Sequence, residues 1–101
     1  MTNHVRTVSL TMRIDVADSV LVWQRFLEAV NRLSVTVMGT CHHSFPGSGF
    51  SGLVLLGESH AAIHTWPEDG TAWVELATCG DAADLAAFQA AMQAWEAECG
   101  N

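Results

Sequence analysis

Apolar and polar residues alternate with period two from Val5 to Ile14, with Val8, Leu10, Met12 and Ile14 on one side and Thr7, Ser9, Thr11 and Arg13 on the other. That is the pattern of a strand with one wet face. Asp15 to Asp18 turns the chain, and Asp18 or Ser19 can cap a helix by accepting a first-turn N–H. Val20, Trp23, Leu27 and Val30 then recur at helical spacing, widened by Phe26 and Leu33, which predicts an amphipathic helix ending near Leu33. Ser34 to Cys41 is β-branched and alternating, a second strand. His42-His43-Ser44-Phe45 leads into the flexible loop Pro46-Gly47-Ser48-Gly49.

The densest pattern follows, in SGLVLLGESHAAIHTWPEDGTAWVELATCG from Ser51 to Gly80. Phe50 to Leu56 reads as a central strand buried on both faces. Glu58-Ser59-His60 interrupts it, Ala61 to Trp66 resumes as a strand stopped by Pro67, and Glu68-Asp69-Gly70 turns into a strand from Thr71 to Cys79. In a tight antiparallel connection Gly57 suits a positive φ, whereas Glu-Ser-His needs a separate reason to be there. Asp81 caps a last helix, Asp84 favours its positive end, and Leu85, Phe88, Met92 and Trp95 line one face. The expected fold is α+β, a two-layer sandwich of a mainly antiparallel sheet with two helices on one face, in the order β-α-β-β-β-α. The other sheet face is left wet, functional or paired.

With 101 residues, half of them hydrophobic, the chain is expected to form one domain over residues 1–101. Four arginines and no lysine stand against eleven acids, for a net charge of -7. Without a lysine amine the chain cannot hold pyridoxal phosphate as an internal aldimine. Without a basic footprint it is not expected to bind nucleic acid, and a cationic small molecule suits its field better. Cys41, Cys79 and Cys99 form no CxxC pair, and no run approaches the ~20 apolar residues of a membrane span. A reducing, cytoplasmic location is the expectation, with no membrane partner.

Two conventional chemistries fit poorly. His60 and His64 share a strand face but lie about 13 Å apart, too far for one ion, and His42 and His43 point to opposite faces, so no metal is expected. A hydrolase built from Ser59, His60 or His64, and Glu68 or Glu75 lacks the GxSxG elbow.

Ser51-Gly52, Glu58-Ser59-His60, Ile63-His64-Thr65-Trp66-Pro67-Glu68 and Thr78-Cys79-Gly80 together resemble, in order and spacing, the self-processing core of the bacterial S-adenosylmethionine decarboxylases, small pyruvoyl enzymes of polyamine synthesis. The resemblance covers the central third of the chain, with His43-x-Phe45 outside it. It implies self-cleavage between Glu58 and Ser59, with Ser59 becoming the pyruvoyl cofactor that replaces pyridoxal phosphate and binds substrate as a Schiff base. By the same resemblance His64 is the processing base, Ser51 its hydrogen-bonding helper, and Cys79 the proton donor to substrate. Phe45, Trp66 and Glu68 bind substrate, and cleaved protomers pair as a homodimer.

The implied reaction is decarboxylation of S-adenosylmethionine to the aminopropyl donor for spermidine. The first strand lacks the histidine and acid usual in the family, and Trp73 stands where a smaller residue is common. The same chemistry on L-arginine or L-ornithine is therefore an alternative, as is a non-catalytic binding or partner subunit.

Overall fold

The computed structural model describes residues 5–47 and 49–99. Ser48 of the expected flexible loop lies outside the described residues. Strands β1 (Arg6–Arg13), β2 (Val37–Ser44), β3 (Phe50–Leu56), β4 (Ser59–Trp66) and β5 (Thr71–Thr78) form one sheet in the order β1-β5-β4-β3-β2. Every neighbouring pair is antiparallel. Helix α1 (Ser19–Asn31) joins β1 to β2, and α2 (Ala82–Cys99) ends the described chain. The α+β sandwich holds, and its five strands are the five runs read from the sequence, one more than the order β-α-β-β-β-α counts. The runs on either side of Gly57-Glu58 are two separate strands, closed into a hairpin at Leu56 and Ser59.

Period two decides which strand residues go inward. Val8, Leu10 and Met12 of β1, Phe50, Val54 and Leu56 of β3, Ala61 and Ile63 of β4, and Ala72, Val74 and Leu76 of β5 share one core with the helices. The alternate residues Ser51, Leu53 and Leu55 face away, where Leu53 is 44% and Leu55 57% exposed. The strand from Phe50 to Leu56, expected to be buried on both faces, is thus covered on one face only.

Two sequence expectations shift. The buried stripe of α1 is Val22, Phe26, Ala29 and Val30, while Val20 is 65% exposed. Asp18 caps the helix through the N–H groups of Val20 and Leu21, and Phe26 sets the facing by meeting Phe88 of α2 edge-on at 6.1 Å. Strand β2 begins at Val37 and runs to Ser44, taking in His42 and His43, because its pairing with β3 continues to Ser44 opposite Phe50.

Gly52 lets α1 approach the sheet. A Cβ there would lie 2.3 Å from the Trp23 ring, and Trp23 also stacks on Phe26 and tilts against Phe50 and His42. An indole has no flexible end to swing aside, so the clash would move the helix. Gly52→Ala is expected to cost about 1–3 kcal/mol in urea unfolding, and most of that loss should vanish in a Trp23→Leu background. An additive pair of effects would show that the contact is not the cause.

Candidate active site

Gly57 and Glu58 alone connect β3 to β4, so one of them must absorb the reversal. The glycine does not. Glu58 holds φ 59, a left-handed conformation that costs a side-chain-bearing residue about 1–2 kcal/mol. The expectation that Gly57 would take the positive φ is therefore corrected. The strain falls on the residue whose carbonyl precedes Ser59. The turn is held from outside the hairpin, where the Gly57 N–H donates to the Thr36 carbonyl at 3.3 Å.

Two contacts converge on the Glu58–Ser59 peptide, and a third holds one of the partners. The Ser59 hydroxyl hydrogen-bonds Thr78 Oγ1 at 2.8 Å across the β4–β5 pair. Thr78 Oγ1 also accepts the Gly80 N–H at 3.0 Å, and Thr78 is 1% exposed. The Cys79 thiol donates to the Glu58 carbonyl oxygen at 3.3 Å. Around them lies an open cleft of about 430 Å³, walled by Ser34 and Thr36 before β2, by Thr78 at the end of β5 and Cys79 to Asp81 after it, and by Asp84. Thr78 reads in the sequence only as part of Thr78-Cys79-Gly80, since nothing in one chain's residue order reveals that β4–β5 register puts its hydroxyl against Ser59.

The remaining site residues gather at the other end of β3 and β4. Ser51 Oγ lies 2.7 Å from His64 Nδ1, on strand positions directly opposite one another. Together with Phe45, Trp66 and Glu68 they line a second cleft of about 390 Å³. His64 is flanked by Trp66 at 6.4 Å and by Trp73, its partner on β5, at 5.9 Å between ring centroids.

The structure does not bring His64 to Ser59. They are five positions apart on one extended strand, about 16 Å. A fold-back beyond the turn, expected from the sequence, does not occur, because His64 sits in the regular ladder. His60 instead pairs with Glu75 at 3.2 Å on the uncovered face, so the Ser–His contact present is Ser51–His64 and not one to Ser59. Among the described residues no three His, Cys, Asp or Glu side chains gather as a metal set, Cys41, Cys79 and Cys99 are free thiols, and no helix is long and apolar enough to cross a membrane.

Residues 13–99 match the family model described as S-adenosylmethionine decarboxylase. A stretch of 61 residues, 60% of this chain and 38% of the relative, is 46% identical to the S-adenosylmethionine decarboxylase proenzyme of Pseudomonas paraeruginosa strain DSM 24068 / PA7. The proenzyme of the same name from Acidithiobacillus ferrooxidans strain ATCC 53993 / BNL-5-31 is 46% identical over 65 residues, 64% of this chain and 49% of its own. The matched stretch is thus less than half the length of either relative. The crystal structure of the adenosylmethionine decarboxylase from Aquifex aeolicus VF5 superposes with a TM-score of 0.80 at 25% identity, covering 92% of this chain and 79% of that one. A sheet of the same architecture and a family match that spans both helices and strands β2 to β5, beginning at the last residue of β1, agree, and the chain belongs to the S-adenosylmethionine decarboxylase family.

Proposed function

We propose that the chain cleaves itself between Glu58 and Ser59, leaving residues 1–58 and 59–101, and that it then decarboxylates S-adenosylmethionine. The observation that carries this reading is the state of one peptide. Glu58 is strained at φ 59, its carbonyl oxygen accepts from Cys79, and the following hydroxyl is oriented by a buried threonine. A strained amide with a donor on its oxygen is poised for an acyl shift. Relatives named proenzymes are in keeping with a precursor that matures.

In the first step Ser59 Oγ bonds to the Glu58 carbonyl carbon, the C–N bond breaks, and the hydroxyl proton passes to the released nitrogen, giving an ester. The Cys79 S–H donates to the oxygen as negative charge develops there. Loss of the Ser59 α-proton then forms a Cα–Cβ double bond and expels the Glu58 carboxylate. Tautomerisation to an imine, addition of water and loss of ammonia leave a ketone at residue 59. The site fits a pyruvoyl group, since residue 59 opens on a cleft with room for a ligand and a thiol beside the cleaved bond.

That group, once formed, would supply a ketone to condense with an α-amine, releasing water, and an adjacent amide carbonyl to take up, through the imine, the electrons left behind as carbon dioxide departs. Cys79, placed beside the Glu58 carbonyl, would be the group that holds a proton for the substrate α-carbon. Phe45 and Trp66 offer aromatic faces to a sulfonium centre, and Glu68 offers a carboxylate to hydroxyls or to positive charge.

His64 and Ser51, the base and its helper, are about 16 Å along the strand from Ser59 of the same chain. A second copy laid antiparallel on the uncovered face would carry its His64 end over the Glu58–Ser59 turn of the first. The exposed Leu53 and Leu55 between the two ends are the apolar surface such pairing would bury. The homodimer in this reading completes the site.

Denaturing mass spectrometry should find two fragments, and Ser59→Ala should remain one intact chain; a wild-type chain that stays whole defeats the self-cleavage. Carbon dioxide release should be fastest with S-adenosylmethionine, and a faster release from L-arginine or L-ornithine reassigns the substrate. Ser59→Ala and His64→Ala, each uncleaved alone, should yield cleavage of the His64→Ala polypeptide when coexpressed. No cleavage in the mixture would mean that the base does not come from a second copy.

A further inference from the structure

Asp84 stands in the first turn of α2 and is 6% exposed, a costly place for a carboxylate that is not hydrogen-bonded. Helix capping does not require it. Asp81 already accepts the Ala83 N–H at 2.9 Å. The Asp84 carboxylate turns instead to the loop between α1 and β2, where Oδ1 accepts the Ser34 N–H at 3.0 Å and Oδ2 accepts the Ser34 hydroxyl at 2.8 Å. Two residues further along that loop, the Thr36 carbonyl accepts the Gly57 N–H at 3.3 Å, and Gly57 precedes the strained Glu58. These contacts form a continuous chain from the start of α2 to the peptide next to Ser59, along the wall of the cleft.

We propose that the Asp84–Ser34 clamp is a positioning device for self-cleavage, fixing the α1–β2 loop so that Thr36 pins Gly57 and keeps Glu58 in its left-handed conformation. Neither Asp84 nor Ser34 touches the reacting atoms. Without the clamp the Ser34–Thr36 segment can withdraw, Gly57 loses its outside acceptor, and the two-residue turn relaxes out of the conformation that sets the Glu58 carbonyl on the Cys79 thiol and the Ser59 hydroxyl on Thr78. The inference rests on the self-cleavage reading above and adds its control element.

The test follows cleavage of freshly translated full chain with time, with and without hydroxylamine at neutral pH, which splits an ester at 58–59 but not an amide. Ser34→Ala and Asp84→Asn should slow cleavage roughly tenfold or more, as expected for losing a hydrogen bond to a charged group, and should lower the hydroxylamine-cleavable fraction in parallel. Ser34→Thr, which keeps the hydroxyl, should recover most of the rate. A clamp that only stabilised the fold would lower the melting temperature and leave both readouts unchanged in chains that circular dichroism shows to be folded. That result overturns the proposal. Should Asp84→Asn fail to fold, Ser34→Ala, which retains the backbone bond to Asp84, decides alone. A wild-type chain that never cleaves overturns the self-cleavage reading and the clamp with it, whereas equal rates in wild type and variants overturn only the clamp.

Discussion

A hairpin that reverses in two residues leaves no slack, and when neither β3 nor β4 yields a ladder position the turn must take whatever backbone conformation remains. Here the left-handed residue is Glu58 and not the glycine beside it. About 1–2 kcal/mol of conformational strain is small against the many apolar side chains in the core, so the sheet can impose it. Its location matters more than its size. The strained residue contributes the carbonyl next to Ser59, and the register of β4 with β5 puts Thr78 and Cys79 around that peptide.

The sheet can hold the turn this firmly because one of its faces is packed by both helices. Trp23 lies over Gly52 at a distance no side chain would permit, Phe26 meets Phe88 between the helices, and inward residues of four strands close the core. The opposite face carries Leu53, Leu55, His60 and Glu75, and among the described residues no second layer covers it. One-sided packing stabilises the protomer and leaves a broad surface open, the one on which the proposed second copy would lie.

That surface connects two half-sites. At one end are Glu58, Ser59, Thr78 and Cys79; at the other are Ser51, His64, Phe45, Trp66 and Glu68. Extended strands keep them apart, since a regular ladder cannot curl His64 back towards Ser59. Self-processing by His64 within a single protomer therefore conflicts with the strand geometry, and it is this conflict that motivates the proposed antiparallel partner.

Much of this was legible in residue order. Period-two alternation in β1, the apolar run of β3, the stop at Pro67 and the helical spacing of Phe88, Met92 and Trp95 are local patterns, and each became the element expected, because side-chain direction follows directly from strand or helix periodicity. The Glu58-Ser59-His60 break also stood out, since it has polar residues where a hairpin normally carries turn formers. What residue order did not determine was every relation across strands. The helix face led by Val22 and Phe26, the extension of β2 through His43, the positive φ on Glu58, and the bonds from Thr78 to Ser59 and from Asp84 to Ser34 depend on register and packing between distant segments. Local propensity says which element a segment will form. Only the closed sheet, with its helices seated, decides which atoms of different segments meet.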